Sequence, residues 1–159
     1  MMHLKQNESG RTMLEMLGVL AIMGVIVYGA IAGINFGVEM YKINKTFDQI
    51  EDLSQGIVDL YSWQRGYPSS YSAHCGQFQQ NDVIDLSGTA SGNTCGFTGD
   101  LGTITLTPCE SGLCEHFGIS AETKDEFQCN RLKGMGFSHM KVDDAQSCTG
   151  GTTVYLISR

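Results

Sequence analysis

Apolar residues crowd the first third of the chain and thin out towards its end, and their spacing changes twice on the way. From Met16 to Val38 twenty-three residues pass without a charge. As a helix this run would extend about 35 Å at 1.5 Å per residue, against a bilayer hydrocarbon core of about 30 Å. It is long enough to cross a membrane. A secretory signal has a shorter apolar region followed by small residues at its cleavage site. Here Ser9 and Gly10 come before the run, so the apolar segment is expected to stay in the product.

Beyond Val38 the pattern becomes one-sided. Ile43, Phe47, Ile50, Leu53, Ile57 and Leu60 follow at steps of three and four, with Lys42, Lys45, Asp48, Glu51, Asp52 and Asp59 mostly on the other side. That is the stripe of an amphipathic helix. No proline occurs before Pro68, so the pattern predicts one continuous helix from about Met13 to about Gln64, closed by the "RGYP" of Arg65 to Pro68. Its first half is apolar all round, and its second half has one face to bury.

The remainder supplies the cover. "GTITLTP", Gly102 to Pro108, alternates Ile104 and Leu106 with threonines, as a half-buried strand does, and "DVIDLSG" from Asp82 is a weaker strand candidate. The closing "TTVYLIS", Thr152 to Ser158, has apolar residues of both parities, as expected of a central strand covered on both faces. In "ISAETKDEFQCNRLKG" a short helix is expected, with Thr123 and Glu126 as a capping box, Phe127 and Leu132 facing inward and Gly134 at the stop. The fold class is α+β: a long N-terminal helix, half transmembrane, packed on a small antiparallel sheet, with a disulfide-rich C-terminal region.

Charge and cysteine content narrow the function classes. With 159 residues, a net charge of −7 and a pI near 4.9, the chain lacks the basic face of proteins that neutralise phosphates, and nucleic acid is not an expected partner. Cys75, Cys95, Cys109, Cys114, Cys129 and Cys148 all lie beyond the long helical pattern. An even number of cysteines in a small glycine-rich domain indicates oxidation outside the cytoplasm. Six cysteines allow fifteen pairings, and spacing does not choose among them. The sharper alternative is zinc, with His74 beside Cys75 and Cys114 two before His116, but no pair of C-x-x-C knuckles appears. No catalytic constellation stands out, and neither enzyme activity nor a cofactor is expected. Tyr61, Trp63, Tyr67 and Tyr71 cluster at the end of the long helix. They either seal it onto the sheet or present a surface to a receptor or sugar.

One acidic residue stands at the lip of the apolar run. Glu15 either sits at headgroup level, pairing with Arg11 four residues earlier on its own helix, or is buried among packed helices, where it needs a cation. Further along, Gly29, Gly33 and Gly37 recur every four residues, with Gly18 and Gly24 upstream. That spacing lets helix backbones approach closely, although glycine is common in membrane helices in any case.

"GRTMLE", Gly10 to Glu15, running straight into the apolar helix, resembles the class III signal of type IV pilins and pseudopilins: a Gly before the cut, then a Thr second and a Glu fifth in the mature chain. More loosely, "YSWQRGYPSS" and the helix carrying Cys129 resemble the type IVb branch. The resemblance implies a leader at 1–10, an assembly and membrane helix at 11–38, an amphipathic continuation at 39–65 and a disulfide-rich head at 66–159. It implies cleavage by a prepilin peptidase between Gly10 and Arg11, N-methylation of Arg11, and residence in membrane lipid of the inner membrane. An assembly ATPase and platform protein would then draw the subunit into an extracellular helical homopolymer. Thr12, Glu15, Gly29, Gly33 and Gly37 would lie in the assembly segment, with Glu15 meeting the N-terminal amine of a neighbouring copy. The family also implies a Cys129–Cys148 bridge; Cys75 with Cys95 and Cys109 with Cys114 then follow as sequence neighbours. Two departures stand out. Arg11 occupies a position that is usually apolar, and the leader is weakly basic, with Lys5 opposed by Glu8. A type II secretion pseudopilin shares the same signal and is the nearest alternative. From another class, the alternative is a single-pass membrane protein whose exported domain binds a ligand or metal.

Overall fold

A computed structural model of the chain describes residues 9–80, 86–108, 115–143, 148 and 153–158. Its first element, α1, runs unbroken from Ser9 to Tyr61. Nothing in this stretch interrupts a helix: there is no proline, and its glycines stand singly. The chain forms two compact units, Met1–Met40 and Tyr41–Arg159.

In the second unit α1 buries Ile43, Thr46, Ile50, Leu53, Ser54, Ile57 and Tyr61, which follow the helical period and so share one face. Ser54 belongs there because its Oγ donates to the Glu51 carbonyl at 2.9 Å, so its own hydroxyl is paired. The stripe differs from expectation at its end. Leu60 is 38% exposed and Tyr61 takes the inward place, because the face is continued four residues past Ile57 rather than three. Just beyond, the Gln64 amide donates to the Tyr61 carbonyl at 2.9 Å and turns the chain.

The cover is a six-stranded antiparallel sheet in the order β1-β2-β3-β4-β6-β5. Its strands are β1 (Gly88–Ser91), β2 (Thr94–Thr98), β3 (Thr103–Thr107), β4 (Gly118–Glu122), β5 (Met140–Val142) and β6 (Thr153–Ser158). The registers Phe97↔Ile104, Ile104↔Ala121 and Ala121↔Val154 lay one apolar row across four strands. Cys95, Leu106 and Ile119 form a second row. All of these side chains are buried in one cluster with Ile50, Leu53 and Ile57, while Thr105 and Ser120 face each other on the opposite side of the sheet. Fully burying an aliphatic side chain contributes about 1.5–3 kcal/mol, so these rows hold the helix to the sheet. β6 lies between β4 and β5 as a central strand, but Ile157 on its outer face is 46% exposed. Among the described residues nothing covers that outer face at Ile157.

Two elements depart from the sequence expectation. "GTASGNTCGF" forms a β1–β2 hairpin whose two-residue turn is Gly92–Asn93. Gly92 adopts φ 59, the left-handed conformation that primed hairpin turns need. Of "DVIDLSG", 82–85 lie outside the described residues, and of the described three Gly88 alone enters a strand. The short helix α2 (Cys75–Gln80) and the 3-10 turn Ser72–His74 precede it.

The helix α3 begins later than expected, at Glu126, and ends at Lys133. Residues 118–122 are claimed by β4, where Ile119 and Ala121 are needed in the core. The cap is therefore Asp125, whose Oδ1 accepts from the Gln128 amide at 2.8 Å, and Gln128 Oε1 in turn accepts from the Lys124 amide at 2.9 Å. Asp125 and Gln128 make the N-terminal contacts expected of Thr123 and Glu126. The later start also changes the faces: Cys129 and Leu132 are buried, and Phe127 is 48% exposed rather than inward.

Candidate functional site

The first unit consists of α1 up to Met40. Its large apolar side chains from Met13 to Val38 are all exposed. Among the described residues α1 is the helix long and apolar enough to cross a membrane, by length and composition. Between Met13 and Val38 the one formal charge is Glu15, and it too is exposed. The Gly10–Arg11 peptide bond lies in the first turn of α1, and Arg11 precedes Glu15 by one helical turn, about 6 Å along the axis. Thr12 lies between them.

The glycines in this unit are not demanded by the chain's own fold. At Gly29, Gly33 and Gly37 an added Cβ would meet nothing within 4 Å, yet each glycine in a helix interior costs about 1 kcal/mol relative to alanine. The stripe stands open, and no contact among the described residues of one copy explains it.

The second unit positions the cysteines and aromatics. Cys75, the first residue of α2, is bonded to Cys95 of β2 across 20 residues, with Cα atoms 5.6 Å apart. Cys129 of α3 is bonded to Cys148 across 19 residues, with Cα atoms 5.8 Å apart. Cys109 and Cys114 lie outside the described residues. Because Cys75 is in a disulfide, it offers no thiolate to a metal beside His74, and among the described residues no group of three His, Cys, Asp or Glu side chains is placed to hold one.

Three of the four aromatics singled out by sequence come together. Tyr61 lies edge-on to Tyr67 and Tyr71, with ring centroids 6.2 and 6.1 Å away, and Tyr67 meets Phe117 at 4.7 Å. Tyr71 continues the row to Phe78, and Phe78 to Phe97 on the sheet. These rings seal the end of α1. The Tyr71 amide also donates to the Asn93 carbonyl in the hairpin turn at 2.9 Å. Its hydroxyl is buried without a partner among the described residues, and burial, then the neighbouring phenols of Tyr61 and Tyr67, push its pKa far above the ordinary phenol value. Burial raises Tyr67 as well. Trp63 is the exception: it is 93% exposed.

Sequence patterning missed the contacts that fix α1 at its middle. Lys45 Nζ reaches Asp100 in the β2–β3 turn at 2.8 Å. Glu51 Oε1 accepts from the Ser138 amide at 2.7 Å, and Phe47 stacks on Phe137 at 4.8 Å. Both latter contacts join positions about ninety residues apart, a separation no local pattern can signal.

No known family profile matches the chain. It is similar to the toxin coregulated pilin of Vibrio cholerae serotype O1, with 23% identity over 129 residues that cover 80% of this chain. The match spans 58% of that pilin's length. A long N-terminal apolar helix, an antiparallel sheet and, among the described residues, two disulfides in the region after that helix fit a pilin family.

Proposed function

We propose that the chain is a prepilin, cut between Gly10 and Arg11 and assembled into a type IV pilus through the N-terminal half of α1. The observation that carries this reading is one exposed carboxylate, Glu15, standing five residues after Gly10 in a helical segment, Met13 to Val38, that is otherwise uncharged and apolar. In a membrane the subunit can keep Glu15 near the headgroups. In a bundle of such helices the carboxylate leaves water, which costs several kcal/mol unless a cation meets it with good geometry.

Cleavage supplies the cation. The new α-amino group of Arg11 would lie at the first position of the shortened helix, and Glu15 would fall close to the positive end of its dipole. A neighbouring copy displaced along the axis brings its amine to the Glu15 of the first. A copy docked out of step leaves a buried charge unpaired, so the pair sets register as well as contact. N-methylation would keep the charge, and the Arg11 guanidinium adds a second cation at the same place. The open stripe of Gly29, Gly33 and Gly37 would let neighbouring helices approach closely.

This reading places the precursor in the inner membrane and the product outside the cell, with prepilin peptidase, a platform protein and an assembly ATPase as partners. Similarity to a pilus subunit of Vibrio cholerae favours the pilus over the type II secretion pseudopilus. The test is intact-mass analysis and electron microscopy of filaments sheared from cells expressing the chain with a matching peptidase. The expected result is filaments whose subunit begins at Arg11. A cell-associated protein that still begins at Met1, with no filaments, would favour a single-pass membrane protein instead.

A further inference from the structure

We propose that the groove at the C-terminal end of α1 is a binding site for a single neutral sugar ring. The groove holds about 210 Å³ and is lined by Leu60, Tyr61, Gln64, His74, Gln77 and Phe78. Ligand pockets for drug-sized molecules run from about 300 Å³ upward, so this one suits a single ring with the rest of a larger molecule outside.

Its chemistry is divided by depth. Leu60, 38% exposed, gives the groove an apolar wall, and the Tyr61 and Phe78 rings lie buried behind it. The rim consists of two amides and an imidazole. Among the described residues the side chains of Gln64 and Gln77 make no hydrogen bond, and Nδ1 of His74 is buried with no partner in the chain. A buried polar atom left unpaired costs about 1–3 kcal/mol, so this nitrogen is an unmet demand at the wall of a cavity. Each amide offers both a donor and an acceptor, the complement of hydroxyls that also do both. Among the described residues no carboxylate, ammonium or guanidinium lines the groove, which favours an uncharged ligand. The Cys75–Cys95 bridge starts beside His74 and ties that wall to β2.

The test does not depend on filament formation. The full chain in a detergent without a sugar headgroup is titrated with D-glucose, D-galactose and N-acetyl-D-glucosamine. The readouts are the fluorescence of its single tryptophan, Trp63, which adjoins Gln64 in sequence, and backbone amide shifts. At least one sugar is expected to give a saturable response with a Kd of about 1 mM, as befits so small a contact. Gln64→Ala and Gln77→Ala, both at exposed positions, should each weaken that response about tenfold with the fold intact by circular dichroism. Lys141→Ala, outside the groove, should leave it unchanged. No saturable response to any of the three sugars would overturn the proposal, as would a response that survives both glutamine substitutions at full strength.

Discussion

Replacing Cys129 and Cys148 together by alanine should cost the head about 3 kcal/mol. The bridge closes a loop with a sequence separation of 19. The chain-entropy relation gives about 11 cal/mol/K for a loop of that size, or about 3 kcal/mol at 25 °C. The unit that unfolds, Tyr41–Arg159, should have an unfolding entropy of about 250 cal/mol/K at about 2.1 cal/mol/K per residue. The expected fall in Tm is therefore about 12 °C, read by near-UV circular dichroism or Trp63 emission on the full chain in detergent. The Cys75–Cys95 bridge closes a loop of nearly the same size, with a separation of 20, so its double alanine variant should fall by a similar amount. Removing both bridges brings the loss to about 6 kcal/mol, within the whole stability range of an ordinary domain, and should leave the head largely unfolded. A fall of less than about 4 °C for either single bridge would refute the reasoning, because loop closure would then not be what these bridges contribute.

Leu53→Ala removes a fully buried side chain from the helix–sheet seam and should destabilise the head by about 3–4 kcal/mol in denaturant titration, as other large core deletions do. Asp125→Ala takes away the acceptor for the Gln128 amide and should cost about 1 kcal/mol, measured the same way. The Tyr71 phenol ionises far less readily in the folded chain than in the unfolded one. Above about pH 10 only the unfolded chain gains that charge, so stability should fall as pH rises from there. Tyr71→Phe, which also removes a buried hydroxyl without a partner, should flatten that alkaline fall without lowering stability at pH 7. A steeper fall in the variant would contradict the assignment.

What local pattern could reveal was the part of the fold set by period. α1 was readable because its interruption-free length and three-four spacing depend on nothing outside itself. β3 was readable because Ile104 and Leu106 alternate with threonines. The β1–β2 hairpin was hidden because its strand "GTAS" carries no large apolar residue, and only the Gly-Asn turn signals it. α3 was placed about two residues early because Thr123 and Glu126 have the spacing of a capping box, whereas Thr123 is buried next to the end of β4 and Asp125 caps the helix. The face of α1 at its end followed Tyr61 rather than Leu60 for a similar reason, since Tyr67 and Tyr71 converge on the tyrosine ring. Of the candidate site, the place of Glu15 on the helix was legible from spacing alone. The groove around His74 was not, because Leu60, Gln64 and Gln77 come from separate elements and meet only once the aromatic row has folded.

The most direct measurement is a density map of the native filament at a resolution that shows side chains around Glu15. The account predicts its carboxylate about 3 Å from the α-amino nitrogen of Arg11 in a neighbouring copy, away from water. A map in which that carboxylate faces solvent, or meets only the Arg11 guanidinium of its own helix, would contradict it.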